Sequence, residues 1–211
     1  MHFSEDHLAI LAEIQSEWNR AEEDIKTAEM VVNKIVLPSV KELRYGGRRI
    51  IDALMEITNN PNNSNQEKIR GFLEDARFDC HRARHDAIDA ATAKIASDLA
   101  IMVEKLGYDA ILPAYPNFAS LYQELTKFRA RIQASRGKRD NRESIYSVIE
   151  AADFPALVAS FNAMRVHEPV MIALAKKARR THFYAKRALI CGIFAVVLSV
   201  GLWLIPSPFH K

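Results

Sequence analysis

Glycine and proline are scarce, at seven and eight of 211 residues. So few backbone breakers argue against a turn-rich all-β chain, and the abundant Ala, Glu, Lys, Arg and Leu favour long helices. Cysteine is rarer still, with only Cys80 and Cys191. Cys191 lies inside an apolar run, which excludes a disulfide framework and fits a reducing compartment. A signal peptide is also missing. The opening MHFSEDHLAILAEIQSEW lacks a positive n-region and turns acidic almost at once. No G-x-S-x-G, C-x-x-C, H-E-x-x-H or P-loop pattern occurs, so no catalytic residue, cofactor or metal site is assigned. A chain of this length buries roughly 70% of its unfolded surface and needs no staple to fold.

What is present is uneven. Net charge is only +3, but residues 1–30 hold eight acids against two bases. Residues 165–187 reverse this, with seven Lys/Arg against one acid, Glu168. A basic end of this kind suits a charged surface.

Beyond it, Ala188 to Ile205 gives eighteen residues without a charge. As a helix they extend ~27 Å, close to the ~30 Å of a bilayer core. Eleven are Leu, Ile, Val or Phe. Each contributes ~−0.3 to −0.6 kcal/mol to insertion at mid-membrane, and no buried charge opposes them. Phe183, Tyr184 and Trp203 sit where interfacial aromatics belong, and Pro206 and Pro208 stop the helix. The competing reading, a core helix of a soluble fold, lacks the polar stripe such helices carry. Lys176, Lys177, Arg179, Arg180, Lys186 and Arg187 flank the near side, which places the preceding chain in the cytosol. These six form the expected membrane-surface segment. Ala188, Cys191, Gly192, Ala195 and Ser199 supply small residues at spacings that let spans pack closely.

Upstream, Ser4 is a plausible N-cap, with Glu5 and Asp6 in the first turn. Leu11, Ile14, Trp18, Ala21, Ile25, Ala28, Val32 and Ile35 form a heptad seam, ending near Pro38. A second helix spans about 40–57 and is expected to be interrupted at Gly46 and Gly47. NNPNNSN is a loop, and Ser64 with Glu67 gives a capping box. A helix of about forty residues then runs to a stop at Gly107. Its apolar face holds Ile69, Phe72, Leu73, Ala76, Cys80, Ala83, Ala87, Ala90, Ala91, Ile101 and Met102. It is expected to pair with the Trp18 heptads as an antiparallel hairpin. YDAILPAYPNF reads as a turn before a helix carrying Leu121, Leu125, Phe128 and Ile132. A basic loop, 135–144, precedes two helices over 144–152 and 155–167.

Three constellations invite a chemical reading. His81, His85 and Asp89 share one helix face, and a His pair four apart suits zinc. That face lies away from the alanine seam, and Arg77, Arg82 and Arg84 surround it, so it is expected to be a solvated charged face. Arg44, Gly46, Gly47, Arg48 and Arg49 combine arginine forks with glycines, which suits a phosphate-bearing ligand. No strand precedes them, and exposed arginines at a kink compete as the reading. Arg136, Lys138, Arg139 and Arg142 form a basic loop without neighbouring aromatics, which disfavours nucleic acid as partner. The layout of helical bundle plus terminal anchor resembles that of membrane-anchored apoptosis regulators, but their motifs are absent, so no family follows.

The expectation is an all-α protein. Residues 1–175 form a cytosolic bundle of long antiparallel, coiled-coil-like helices. Residues 176–187 form the basic segment, 188–205 a single transmembrane helix and 206–211 a short tail, in a bacterial inner membrane. The partners expected are the lipid bilayer and either a second copy or another protein. The function expected is non-catalytic contact at the membrane face, with a membrane-perturbing effector as one form. The alternative is a tethered domain that recognises a phosphate-bearing molecule.

Overall fold

The computed structural model describes residues 3–60, 65–136 and 142–204, the last four as backbone only. Seven helices make up nearly all of this, and no strand occurs among the described residues. They are α1 (Glu5–Val32), α2 (Leu37–Asn59), α3 (Gln66–Leu106), α4 (Tyr108–Ala114), α5 (Phe118–Arg136), α6 (Arg142–Val166) and α7 (Glu168–Leu204).

Local chemistry accounts for the boundaries. The Ser4 hydroxyl oxygen accepts from the His7 N–H at 3.3 Å and caps α1. Asn33, at φ 57°, ends α1 in the left-handed region well before Pro38. Ile35 therefore falls past the helix and is exposed, correcting its place on the heptad seam. Ile14, Ala21, Ile25 and Ala28 are buried, while Leu11, Trp18 and Val32 are half-buried. Ile10 and Val31 join the buried stripe instead. The Asn65 side chain accepts from Lys68 N–H at 3.0 Å and caps α3; Ser64 lies outside the described residues. Gly107, at φ 75°, follows the end of α3 as expected.

Three expectations about continuity are corrected. Gly46 and Gly47 do not interrupt α2. A Cβ on Gly46 would stand 3.2 Å from the Ala76 carbonyl oxygen, so glycine here lets α2 approach α3 closely. The segment after Gly107 is a short helix, not a turn, with Pro113 in its last turn. The two helices expected over 144–167 are one, α6, joined by a π-helical turn at Ile149–Asp153.

The chain forms two compact units. The first holds residues 1–101 and 119–163. Its contacts give the helix directions. His7, Glu13 and Glu17 of α1 meet Gln66, Arg77 and Arg84 of α3, in the same order along both chains. Glu56, Arg49 and Glu42 of α2 meet Lys68, Asp75 and Arg82, in opposite order. Thus α1 runs parallel to α3, and α2 is antiparallel to both. The antiparallel hairpin expected between α1 and α3 is replaced by two, α1–α2 and α2–α3. The short connection of α1 to α2 suits such an antiparallel pair. Arg136 reaches Asp89, and Phe128 and Arg131 meet Phe154 and Asp153, so α5 lies between α3 and α6. The middle of α3 is consequently buried on several sides, with Ala83, Arg84, His85, Ala87 and Ile88 all shielded.

The second unit holds residues 102–118 and the chain from 164 onward. Here α4 packs on the first half of α7. The Tyr115 ring lies 5.5 Å from that of His167, and Arg179 Nη2 donates to the Lys105 carbonyl at 2.6 Å. Among the described side chains of α7, Met171 and Ala175 are the last buried ones, and from Lys176 to Val200 every side chain is exposed. Both α6 and α7 are long and apolar enough to cross a membrane, by length and composition.

Candidate functional site

The first unit is organised around one guanidinium. Arg84 is 0% exposed. It lies on the stripe of α3 that continues through Ile88, Ala91, Ile95 and Leu99, so its neighbours along the helix bury it. A charge so placed survives only if fully paired. Three carboxylates meet it: Glu17 from α1, and Glu143 at 2.9 Å and Glu150 at 2.7 Å from α6. Arg20 joins them, with two nitrogens on Glu150 at 2.8 and 2.7 Å and Nη1 on Glu17 at 2.7 Å. Glu150 is carried on the π turn, which breaks the ordinary helix at the residue that serves both arginines.

Next to this cluster stand His81 and His85. His81 Nδ1 is 2.8 Å from Glu143 Oε2 and 3.6 Å from Glu17 Oε2. The approach to Glu143 is close but poorly directed for a hydrogen bond, so the contact is one of charge and dipole. His85 Nε2 lies 3.4 Å from the same Oε2, and its ring stacks on Tyr146 at 3.6 Å. Tyr146 donates to Asp89 at 2.9 Å, which also accepts from Arg136 at 2.9 Å. The expectation of a solvated face for His81, His85 and Asp89 is corrected: α6 covers it. The arginines read as its solubilising company are mostly engaged in pairing.

The electrostatics follow from this packing. Burial would raise the Glu143 carboxyl, but contacts with His81, His85 and Arg84 outweigh it and hold it well below the usual carboxylate range. Burial lowers His85 despite Glu143, so its ring favours the neutral form. Burial, and then the negative charge of Glu150, push Asp24 up to about 7, against the pull of Arg84 and Arg20. Burial and the Asp89 charge raise Tyr146. Cys80 is fully buried and its thiol is pushed up to about 12, chiefly by burial, as suits a small core residue.

An open cavity of about 1080 Å³ adjoins the cluster, lined by both imidazoles, Glu17, Glu143 and Arg142. The donor atoms of Glu17, His81 and Glu143 lie within 4.8 Å of one another.

The other anticipated sites look different. Arg48 pairs with Asp52 at 3.1 Å and Arg49 with Asp75 at 3.6 Å, while exposed Arg44 lies 6.0 Å from the Tyr45 ring. Gly46 and Gly47 have their amides inside a continuous helix, where they cannot cradle a phosphate. Lys138 and Arg139 lie outside the described residues; Arg136 and Arg142 belong to the ends of α5 and α6. Lys176, Lys177, Arg179, Arg180, Lys186 and Arg187 are exposed along α7, with Arg187 stacked 4.4 Å from the Phe183 ring centre. Ala188, Cys191, Gly192, Ala195 and Ser199 follow on the same helix, also exposed. Ser199 donates to the Ala195 carbonyl at 2.8 Å and so satisfies its hydroxyl within the helix.

Glu17, Arg20, Asp24, Glu143 and Glu150 were not anticipated. One signal existed: Arg84 lies in register with Ile88, Ala91, Ile95 and Leu99, a charge on an apolar stripe. No protein-family model matches the chain, no curated protein matches it in sequence and no solved structure matches it in fold.

Proposed function

We propose that the chain is a membrane-anchored helical protein that acts by contact at the cytosolic membrane face, through self-assembly or a docked protein partner, rather than by catalysis. The observation that carries this reading is the bare half of α7. Eight large apolar side chains, from Leu189 to Val200, are all more than half exposed. Full burial of each is worth ~1.5–3 kcal/mol. Leaving them in water would rival the ~5–15 kcal/mol that holds a whole domain together. Something outside the described fold covers them, and an uncharged helix of this length suits lipid. α6 is the weaker candidate for a span, because Glu143 and Glu150 are committed to Arg84. The basic run before Ala188 supports a cytosolic first unit. The small residues from Ala188 to Ser199 support close packing between spans, which favours self-assembly, with a membrane-perturbing effector as one outcome.

Fractionation tests the anchor. Full-length protein is expected in membranes that resist alkaline wash and yield it only to detergent, while a chain cut after Arg187 is expected in the soluble fraction. Monodisperse full-length protein in plain buffer would overturn the reading. Crosslinking in membranes tests self-assembly: dimers or larger species are expected, and leucines at Gly192 and Ala195 should diminish them. Monomer alone would leave partner docking as the mode of action.

A further inference from the structure

We propose that the outward face of α2 lies on the anionic lipid surface of the membrane, as a contact additional to the anchor. This rests on the anchor proposed for α7 and deepens that reading.

α2 carries two opposed stripes. Ser39, Leu43, Gly46, Ala53 and Ile57 are buried within the first unit. On the far side, Leu37, Val40, Arg44, Arg48, Ile51 and Met55 recur at steps of three and four residues, and all six are exposed. That spacing sets them in one line along the helix. From 37 to 55 the line runs ~27 Å, at ~1.5 Å per residue. The outer side of a surface helix is ordinarily polar. Here its four apolar members are 41–55% exposed. Tyr45 and Leu54 flank the line at similar exposure. Met30, in the last turn of α1, and Ile35, in the connection to α2, are barer still.

The charges of α2 are sorted in the same way. Lys41, Arg44 and Arg48 stand on the exposed side. The acids are half-buried, and each is paired: Glu42 with Arg82 at 3.6 Å, Asp52 with Arg48 at 3.1 Å and Glu56 with Lys68 at 2.7 Å. What faces outward is therefore apolar and basic. Such a face matches the headgroup region of an anionic leaflet. Its apolar side chains enter the boundary with the acyl chains, and its long basic ones reach the lipid phosphates. Arg44 and Arg48 offer planar forks suited to phosphate oxygens. Each base near an anionic leaflet strengthens the contact about five-fold.

An acidic protein surface would match the charge equally. Lipid is favoured because the anchor of α7 holds this unit near the anionic cytosolic leaflet. A contact too weak to form from solution suffices at that effective concentration.

The test uses the full chain in nanodiscs of phosphatidylcholine, with and without phosphatidylglycerol, spin-labelled at one site at a time in a Cys191→Ser background. Cys80 is fully buried and does not take the label. In anionic discs, labels at Ile51→Cys and Met55→Cys are expected to be accessible to oxygen and shielded from a water-soluble nickel chelate. Their oxygen-to-nickel ratio should be several-fold that of Gln15→Cys, an exposed site on α1. Lys41→Gln combined with Arg44→Gln should bring the ratio down, as should high salt, which screens the attraction. Water at 51 and 55 in anionic discs overturns the proposal, and so does a Gln15→Cys label with the same ratio. Shielding from both reagents overturns it too, because a protein neighbour, a second copy or another partner, then covers the stripe. A label at Val197→Cys reads the anchor separately. Lipid at 197 with water at 51 removes the α2 contact alone, whereas water at 197 removes the anchor and this contact with it.

Discussion

The middle of α3 and the far half of α7 are opposites. Around Arg84, charge is taken out of water and its two terminal nitrogens are met by three carboxylates of the protein. Along Leu189 to Val200, apolar surface is left outside, and the described protein supplies nothing to cover it. The first region is closed by its own chain; the second is not covered by any described residue, and on the proposed reading lipid or another chain covers it. Burial is therefore a poor guide to polarity here. Among the described residues the largest fully buried side chain is an arginine, while the large apolar side chains from Leu189 to Val200 are all more than half exposed.

The comparison breaks most sharply at Arg84. Arg84→Ala leaves three carboxylates facing one another with only Arg20 between them, and should cost ~3–5 kcal/mol. The thermal midpoint in detergent would fall by ~6–20 °C at ~2–4 °C per kcal/mol. An unchanged midpoint would mean that the cluster is hydrated and weakly coupled.

Asp24 gives the next largest effect, with a definite pH dependence. Its folded-state pKa of about 7 lies above the unfolded 3.8, so the native state holds the extra proton between these values and stability falls as pH rises through that window. Asp24→Asn should match the parent below pH ~4 and gain up to ~4 kcal/mol above pH ~7, at ~1.36 kcal/mol per pH unit. Thermal midpoints across that range check it. A gain equal at all pH values would point to packing instead of charge.

The apolar arm is probed by the reverse substitution. Val197→Arg places a charge near the middle of the bare stretch and should cost ~2.5–3.5 kcal/mol of insertion, shifting part of the protein out of the membrane fraction. It should leave the circular dichroism of the helices unchanged. The smallest effect is expected at the edge of the charged cluster. Tyr146→Phe removes the bond to Asp89 while keeping the ring stacked on His85, and should cost ~1 kcal/mol in denaturant unfolding.

Much of the helical layout could be read from the chain, because helix ends depend on a few neighbouring atoms. Ser4, Gly107 and the apolar stripe Leu121, Leu125, Phe128 and Ile132 act locally, and each stands as expected. The misreadings came where a distant segment intervened. Gly46 and Gly47 resemble a break until α3 is placed against Gly46 and the Trp18 ring of α1 against Gly47, when the missing side chains are seen to make room for neighbours. His81 and His85 resemble a solvated face until α6 covers them. Periodicity measures which side of a helix is apolar, and the middle of α3 is buried on polar sides as well.

Local composition determined that this protein is helical, where most of its helices begin and end, and that one of them carries a long uncharged stretch. Those properties depend on residues within a turn or two of each other, whose caps, propensities and hydropathy act wherever the chain lies. Only the tertiary structure decided that Glu17, Arg20, Arg84, Glu143 and Glu150 meet, since they are contributed by three helices far apart in the chain. A charge is tolerable in a protein interior only when its counter-charges arrive in three dimensions, and no pattern along a single helix records their arrival.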